Sequence, residues 1–279
     1  MRRILLAVAV ALCAAPAAAK PPQRVMSINL CTDQLALMLL PRERIVSVSW
    51  LARDPALSAM ADAARHVPVN HGASEEVLRA RPDMVLAGTY TTRATVETLR
   101  ALGAPLVEAP PAESWDDIRR ITRDIGDALG ERAKADAALA RMDATLARLA
   151  AREPAQKPVV AFWSGPGMAP GAGTLSDAVV QAAGARNLAR ELGIQGFGTL
   201  DAERLIASSP DLLITAEATP EPSLRSEAAR HPAIRNRWRG RMLSVPEALT
   251  SCGGPFTADA AVALRTEIDR TLATRDARR

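Results

Sequence analysis

Cysteine is scarce in this sequence of 279 residues, which contains Cys13, Cys31 and Cys252. A small secreted domain held together mainly by disulfides uses many more, so a disulfide scaffold is excluded. Cys13 falls in an apolar segment at the start of the chain, which leaves Cys31 and Cys252 in the remainder. The sequence leaves three roles open for them: a structural pair, two separate thiols, or two sulfurs that contact a ligand.

Long hydrophobic runs are missing after the first twenty residues, although 48% of all residues are hydrophobic and the mean hydropathy is close to zero. Charged residues or prolines interrupt every apolar run before it reaches the roughly 20 residues that cross a bilayer. The composition therefore predicts a sizeable buried core, in one large domain or two lobes, and argues against an integral membrane protein.

Lysine is rare as well, since only Lys20, Lys134 and Lys157 occur among the 35 basic residues. Without the two arginines near the start, the formal net charge falls from +4 to +2. The other arginines are interspersed with acidic residues and form no basic block. Neither the charge nor the isoelectric point near 9.4 therefore indicates a nucleic-acid partner.

Residues 1–19 have the pattern of a secretion signal. Two arginines precede an apolar stretch over residues 4–15, and three consecutive alanines supply the small residues that cleavage needs. We therefore expect an exported mature chain that begins at Lys20. A lipid-modified signal built on Cys13 is disfavoured, because Leu12 directly before it is larger than such processing usually accepts.

Strand and helix patterns alternate in the first part of the chain. Thr32 and Asp33 are predicted to cap the first helix, over residues 34–40. Alternation of this kind indicates a mainly parallel sheet. The other predicted elements are strands at residues 24–29, 44–49, 84–87 and 105–108 and helices at residues 74–80 and 92–102.

The pattern changes over residues 114–153, where apolar residues recur every three or four positions. Gly126 and Gly130 are predicted to break this segment in two. Its uninterrupted part, residues 131–151, would run about 30 Å, long enough to join two lobes as a stiff strut. We therefore divide the mature chain into an N-terminal αβ lobe, a linking helical segment and a C-terminal αβ lobe, at residues 20–113, 114–153 and 154–279.

The second lobe repeats the order of the first, and one part of the repeat is visible in the residues themselves. Residues 75–83 and 203–211 match at a constant offset of 128. Each segment starts at a glutamate, Glu75 or Glu203, and ends in Pro-Asp before an apolar strand. The other elements predicted in this lobe are strands at residues 159–163 and 212–215, a Gly-rich loop at residues 164–173, and helices at residues 175–183 and 202–207.

This succession of features resembles the substrate-binding proteins of ABC importers for cobalamin, ferric siderophores and heme. The resemblance covers residues 24–272 and rests on the opening segment 25–30, the paired Glu-to-Pro-Asp units, the strut helix, and segments 231–234 and 241–246. It implies an α/β fold with two Rossmann-like lobes of mainly parallel sheets. One long backbone helix would join the lobes, and the ligand cleft would lie between them.

The resemblance also implies a function. It predicts a monomeric periplasmic protein without cofactor, bound metal ion or catalytic residue, which captures a metal chelate or corrinoid, cobalamin or a ferric siderophore foremost. In that family a glutamate at the tip of each lobe docks into arginine pockets of a dimeric membrane permease. Glu75 and Glu203 match this pattern, and two carboxylates on pseudo-symmetric lobes suit charge-assisted contacts to two permease subunits.

The ligand is expected in the loops that follow the strands, because open α/β sheets bind ligands beyond the carboxyl ends of their strands. Four of the eight aromatic residues fall in these loops, which indicates a concave apolar surface for a flat, bulky ligand. The two arginines there are candidates for a carboxylate or phosphate of that ligand. The predicted ligand-binding residues are Asn29, Cys31, Trp50, Arg53, Tyr90, Arg93, Trp163, Ser164, Thr250, Cys252 and Phe256.

Two other functions are less well supported. A receptor for bare metal ions needs three or four converging ligands, and the histidines, His66, His71 and His231, are not expected to share a site. An exported enzyme would use the Gly-rich loop, but Pro170 stands where a dinucleotide-binding fingerprint has glycine. Ser164 lacks the flanking glycines of a nucleophile elbow. We therefore expect a binding protein whose stiff strut permits only small lobe movements.

Overall fold

A computed structural model describes residues 20–154, 156–163, 167–215 and 232–276. The N-terminal lobe has one five-stranded sheet in the order β3-β2-β1-β4-β5, in which every strand pair is parallel. Its elements are β1 (Val25–Ser27), α1 (Leu30–Leu39), β2 (Ile45–Ser49), α2 (Ala61–Ala64), β3 (Val69–Asn70), α3 (Ser74–Ala80), β4 (Met84–Gly88), α4 (Arg93–Ala101) and β5 (Leu106–Ala109).

The first helix begins earlier than the sequence pattern predicts. Asn29 is its N-cap, and the Asn29 side chain accepts a hydrogen bond from the backbone N–H of Cys31. Thr32 and Asp33 are buried inside the first turn, so their prediction as capping residues is wrong. Asparagine caps a helix as well as aspartate does, and here it comes first in the chain.

Two helices form the linking segment, α5 (Trp115–Leu129) and α6 (Arg132–Ala150). Gly130 separates them in a left-handed conformation, with φ of 69°. The predicted break at Gly126 is wrong, because Gly126 lies inside α5. A Cβ atom at Gly126 would come within 2.6 Å of the Ala135 Cβ, so glycine there permits the close packing of α5 against α6.

The C-terminal lobe has a four-stranded sheet in the order β11-β10-β6-β8, again parallel throughout. No helix in the described ranges is long and apolar enough to span a membrane. The elements of this lobe are β6 (Val159–Phe162), β7 (Gly167–Pro170), α7 (Leu175–Ala182), β8 (Arg186–Asn187), α8 (Leu188–Glu191), β9 (Phe197–Leu200), α9 (Ala202–Ser208), β10 (Leu212–Thr215), α10 (Pro232–Arg237), β11 (Met242–Ser244) and α11 (Thr257–Asp276).

The predicted Gly-rich loop contains a strand. β7 pairs with β9 in an antiparallel two-stranded ribbon. A Cβ atom at Gly171 would come within 2.1 Å of the Ile194 carbonyl oxygen, and one at Gly198 within 2.5 Å of the Ile194 side chain. The glycines here therefore allow backbone segments to pack closely, which is a structural use unrelated to phosphate binding.

Helices cover both faces of each sheet. In the N-terminal lobe, Leu35 of α1 and Ile125 of α5 pack on one face, while Val77 of α3 and Leu99 of α4 pack on the other. A separate buried cluster joins the linking segment to the C-terminal lobe, and its members are Ile118, Leu139, Met142, Leu175 and Ala258. The lobes therefore share apolar contacts through the linking helices.

The sequence repeat is also a structural repeat. Glu75 and Glu203 are each the second residue of a seven-residue helix, α3 or α9. Those helices end at Arg81 and Ser209, which have φ of 47° and 46° and are the only non-glycine residues with positive φ in the described ranges. The two lobes thus place these glutamates in matching local frames.

The aspartate that ends each repeat unit has the same role in both lobes. The Asp83 carboxylate accepts the backbone N–H of Arg24, before β1, at 2.8 Å. The Asp211 carboxylate accepts the backbone N–H of Val159, the first residue of β6, at 2.9 Å. Each aspartate therefore fixes the register of the central strand beside it.

Candidate functional site

A cavity of about 210 Å³ lies between the lobes, at the carboxyl ends of their parallel strands. The first turn of α1, the loop after β4 and the segment after β5 form its N-terminal wall. The start of α7, the ribbon of β7 and β9, and the segment after β11 form its C-terminal wall. Of the predicted ligand-binding residues, this cavity brings together Cys31, Tyr90, Thr250 and Cys252.

A disulfide between Cys31 and Cys252 crosses this cavity from one wall to the other. Cys31 lies in the first turn of α1, and Cys252 lies between β11 and α11. Their Cα atoms are 5.1 Å apart although 221 residues separate them in sequence. Of the three roles that the sequence left open, the structure therefore shows the pair, and neither sulfur is a free thiol.

Aromatic side chains are exposed on both walls. The Tyr90 side chain is 83% exposed on the N-terminal wall, and the Phe197 side chain is 63% exposed on the C-terminal wall. Trp50, 52% exposed, follows β2 at the same edge of the sheet. Because Met168 and Phe197 share one face of the antiparallel ribbon, Met168 extends this apolar surface. Exposed aromatic residues at a cleft are suited to stacking on a flat ligand.

Phe197 is a cavity residue that the sequence analysis missed. It starts β9, a strand that the sequence pattern does not predict, and it belongs to the same ribbon as the Gly-rich segment. The available signal was an aromatic residue flanked by Gly196 and Gly198, since glycines on both sides of a large residue mark close backbone packing.

Two predicted aromatic residues lie elsewhere. Trp163 is 2% exposed and belongs to the core of the C-terminal lobe, so its side chain does not line the cavity. Phe256 lines a different cavity, of about 550 Å³, with Met38 and residues of α6. Neither side chain lines the cavity between the lobes, because a position after a strand fixes the edge of the sheet but not the direction of the side chain. Ser164 lies outside the described residues.

Three of the polar candidates, Asn29, Arg53 and Arg93, lie outside the cavity wall. Arg53 donates from its guanidinium to the carbonyl oxygens of Ala64 and Val67, at 3.3 and 2.7 Å, and thereby holds the end of α2. The Asn29 side chain caps α1. Arg93 begins α4, is exposed, and does not line the cavity. None of these three residues contributes to the cavity wall.

A buried carboxyl lies beneath the N-terminal wall. Asp33 accepts the backbone N–H of Ser49 at 3.1 Å and a second hydrogen bond from the Ser49 hydroxyl. Burial raises the pKa of Asp33 to about 7, although the hydrogen bonds from Ser27 and Ser49 act in the opposite direction. Ser49 directly precedes Trp50, so Asp33 holds the point from which that aromatic side chain projects.

Comparison with known proteins decides the family. The family model described as periplasmic binding protein matches residues 25–234. The chain belongs to this family. Its members are substrate-binding proteins, so this binding protein is exported and is not an enzyme. The described residues contain no group of three or more His, Cys, Asp or Glu side chains that would hold a metal ion.

Relatives of this binding protein include cobalamin and heme binders. A "Cobalamin-binding protein" of Halobacterium salinarum is 28% identical over 203 residues, which are 70% of this chain and 54% of that protein. The chain thus matches about half the length of that curated relative. The periplasmic heme-binding protein RhuT from Roseiflexus sp. RS-1 is 25% identical, with a TM-score of 0.71 over 89% of this chain and 98% of that one.

A third relative confirms the fold alone. The periplasmic vitamin B12 binding protein BtuF of Vibrio cholerae is 15% identical, with a TM-score of 0.66 over 90% of this chain and 98% of that one. The predicted fold class, two lobes of mainly parallel sheets joined by a backbone helix, is confirmed by these neighbours and by the sheet order.

Proposed function

We propose that this periplasmic binding protein is the substrate-binding component of an ABC importer and that its ligand is a corrinoid of the cobalamin type. The observation that carries the proposal is the pair of exposed aromatic side chains, Tyr90 and Phe197, on facing walls of one cleft. The curated relative that binds cobalamin supports the choice of ligand.

The size of the cavity indicates where such a ligand binds. Its volume of about 210 Å³ is below the roughly 300–1,000 Å³ of sites that enclose a drug-sized molecule. A macrocycle therefore rests at the mouth, against the exposed side chains of Tyr90 and Phe197, and fills the inner cavity only with one edge or side chain. Thr250 and Ser176 line that inner part and offer hydroxyl groups to polar substituents.

A titration of the purified protein tests the proposal. Trp50 is half exposed at the sheet edge that faces the cleft, so a ligand absorbing in the visible range quenches its fluorescence. We expect saturable quenching by cyanocobalamin at micromolar or lower concentration, and weaker quenching by hemin and ferric siderophores. Free tryptophan at matched concentration controls for inner-filter loss. Saturation by a siderophore alone contradicts the corrinoid assignment, and no saturation by any of them contradicts the function.

Heme is a second candidate because of one side chain. The Tyr90 phenol is exposed at the cleft, and a tyrosine oxygen is a known axial ligand of heme iron. Tyr90→Phe separates the two candidates, because phenylalanine keeps the ring for stacking and removes the oxygen. Unchanged cobalamin affinity together with lost hemin affinity would indicate heme as a ligand held through iron. Equal affinities before and after the change would indicate stacking alone.

We also propose that Glu75 and Glu203 dock the protein onto the permease. Both side chains are exposed, and neither forms an ion pair within the described residues. The neighbouring Glu76 differs, because its carboxylate accepts the backbone N–H groups of His71 and Ala73 and so caps α3. Of the two acids at the start of this helix, Glu75 is therefore the one available to a partner.

Export and domain organisation complete the proposal. We infer that residues 1–19 are removed on export and that residues 20–113 and 154–279 move as lobes about the linking segment 114–153. The position of α5 and α6 between the two sheets supports this division. Intact-mass measurement of the secreted protein tests the leader: the expected mass corresponds to a chain that starts at Lys20, and a retained leader contradicts it.

A further inference from the structure

The disulfide links the two walls covalently. Beside it, a Cβ atom at Gly253 would come within 2.4 Å of the Ala112 Cβ and 3.3 Å of the Leu175 side chain. Ala112 and Leu175 also pack in the buried cluster that joins the linking segment to the C-terminal lobe. The bridge and this tight packing hold the two walls together at adjoining residues, which we call the floor of the cleft.

This floor limits how deep a ligand reaches. A flat ring held between two walls needs about 7 Å between the facing atoms, because each carbon contact takes about 3.5 Å. The Cα atoms of Cys31 and Cys252 are 5.1 Å apart. Because the disulfide atoms occupy the space between the walls there, a plate-like ligand stops at the bridge. The wall spacing at the mouth then depends on how firmly the floor is held.

We propose that the Cys31–Cys252 bridge positions the two walls of the cleft, so that it sets both the ligand preference and the rate of ligand release. The inference rests on the proposed function, since it concerns the same cleft. With the bridge intact, the walls that carry Tyr90 and Phe197 keep one fixed spacing. With the bridge open, the walls separate more easily, so the ligand leaves faster and selectivity between ligands of different shape falls.

The bridge is open to thiol–disulfide exchange from the cleft. Cys31 is half-buried and lines the cavity, whereas Cys252 is 3% exposed. A dithiol reductant attacks a sulfur, the bond between the two Sγ atoms breaks, and Cys31 and Cys252 become thiols while the reductant is oxidised to a disulfide. Because a bound ligand covers the cavity, it slows this reaction.

Release kinetics test the proposal with four matched forms of the full mature protein. These are the oxidised protein, the protein reduced with dithiothreitol, the reduced protein after reoxidation, and the variant Cys31→Ser with Cys252→Ser. Displacement of cyanocobalamin is followed by fluorescence, and circular dichroism confirms that each form is folded. Affinities for cyanocobalamin and hemin give the selectivity ratio. Dithiothreitol added to the serine variant controls for effects of the reductant.

We expect release about tenfold faster from the reduced protein and the serine variant, with association little changed and a reduced selectivity ratio. Reoxidation restores slow release, and cyanocobalamin slows reduction of the bridge. Equal release rates and equal selectivity in all folded forms overturn the proposal. If the bridge only stabilises the fold, release rates and selectivity are equal in all four forms, because all four are compared in the folded state.

Hydrogen exchange without ligand separates this proposal from the proposed function. Amide exchange that speeds up on reduction at residues 112–113 and 174–176, on opposite walls, by more than it does in the strands of both sheets supports a positioning bridge even if no ligand in the titration binds. An increase no larger there than in the strands is what general destabilisation alone gives, and it overturns the proposal. If ligand affinity and release are the same in the oxidised and reduced protein, the proposed function is still supported, but the proposed role of the bridge is wrong.

Discussion

Both walls of the cleft contain a helix with a buried aspartate in its first turn, but the two aspartates have different hydrogen-bond partners. The first helix of each wall, α1 or α7, presents its first turn to the cavity and buries an aspartate there, Asp33 or Asp177. Asp177 pairs with Arg190 at 2.7 Å and accepts hydrogen bonds from Gln181 and Asn187. Asp33 has only hydroxyl and backbone donors within the described residues.

This difference has a physical consequence. A buried carboxyl supported only by neutral donors takes up a proton more readily, because its charged form loses contact with water. The C-terminal wall therefore contains an ion pair, and the N-terminal wall contains a buried carboxyl whose pKa is raised. The helices that carry Glu75 and Glu203, in contrast, have the same length, and a residue in the left-handed conformation follows the last turn of each. This likeness suits the proposed docking to two equivalent permease subunits.

The largest expected effect concerns those two glutamates. Glu75→Arg together with Glu203→Arg reverses both proposed docking charges, so we expect uptake of labelled cobalamin to fall about 100-fold or more while ligand affinity is unchanged. The measurement is uptake by cells that carry the variant in place of their own binding protein. Glu43→Arg with Glu97→Arg is the matched control, since both side chains are exposed on the N-terminal lobe. A loss of affinity in the glutamate variant contradicts docking.

Removal of the bridge between the walls is expected to have the next largest effect. Cys31→Ser with Cys252→Ser releases a covalent link that spans 221 residues, and the unfolded chain gains entropy. We expect the free energy of unfolding to fall by about 3–5 kcal/mol. Urea denaturation with and without reductant checks this. The wild type in reductant matches the variant, and a variant as stable as the oxidised wild type refutes the prediction.

A smaller effect on the free energy of unfolding comes from the buried carboxyl of Asp33. The pKa of Asp33 is about 7 in the folded protein, where the carboxyl is buried, and 3.8 in the unfolded chain, where it is exposed to water. The folded state therefore binds the proton more tightly than the unfolded state. Its contribution to stability is present below about pH 4 and is lost as the pH rises through about 7. Asp33→Asn removes this dependence.

We therefore expect the Asp33→Asn variant to gain a few kcal/mol relative to wild type between about pH 5 and about pH 8, because only the wild type must ionise a buried group. Urea denaturation at the two pH values measures the difference. If the two proteins lose or gain stability in parallel over this range, Asp33 does not titrate as the structure implies.

The smallest effect concerns one edge of the apolar surface. Met168 is 64% exposed on the same ribbon face as Phe197. Met168→Ala removes a polarizable contact at the mouth, so we expect cobalamin affinity to fall about threefold, within the range of single sulfur–aromatic contacts. Leu102→Ala, at an exposed leucine of the N-terminal lobe away from the cavity, is the control. A larger loss at Leu102 than at Met168 would place the ligand elsewhere.

The framework was predictable because its signals are local. Alternating apolar patterns identified β2, β4, α7 and β10, and the paired Glu-to-Pro-Asp units marked matching turns whose geometry the structure repeats at Arg81 and Ser209. Each of these features depends on residues within one helix, one turn or one strand. Local spacing is sufficient to determine them.

The site was predictable only in part because side-chain direction depends on tertiary contacts. Trp163 follows a strand, as Tyr90 does, yet it turns into the core where the C-terminal lobe offers apolar neighbours. Phe197 was missed because its strand exists only through pairing with β7. Aspartate is a common N-cap residue, so Asp33 was predicted to cap the helix. Asn29 takes the N-cap position in the structure, and Asp33 is therefore buried in the first turn of the helix.

The central claim is that a flat corrinoid binds between aromatic side chains on opposite walls. Calorimetric titration of cyanocobalamin into the wild type and the variant Tyr90→Ala with Phe197→Ala tests it most directly. If each ring contributes about 1.4 kcal/mol by stacking, the variant binds about 100-fold more weakly. Equal affinity of wild type and variant, with both folded, contradicts the account.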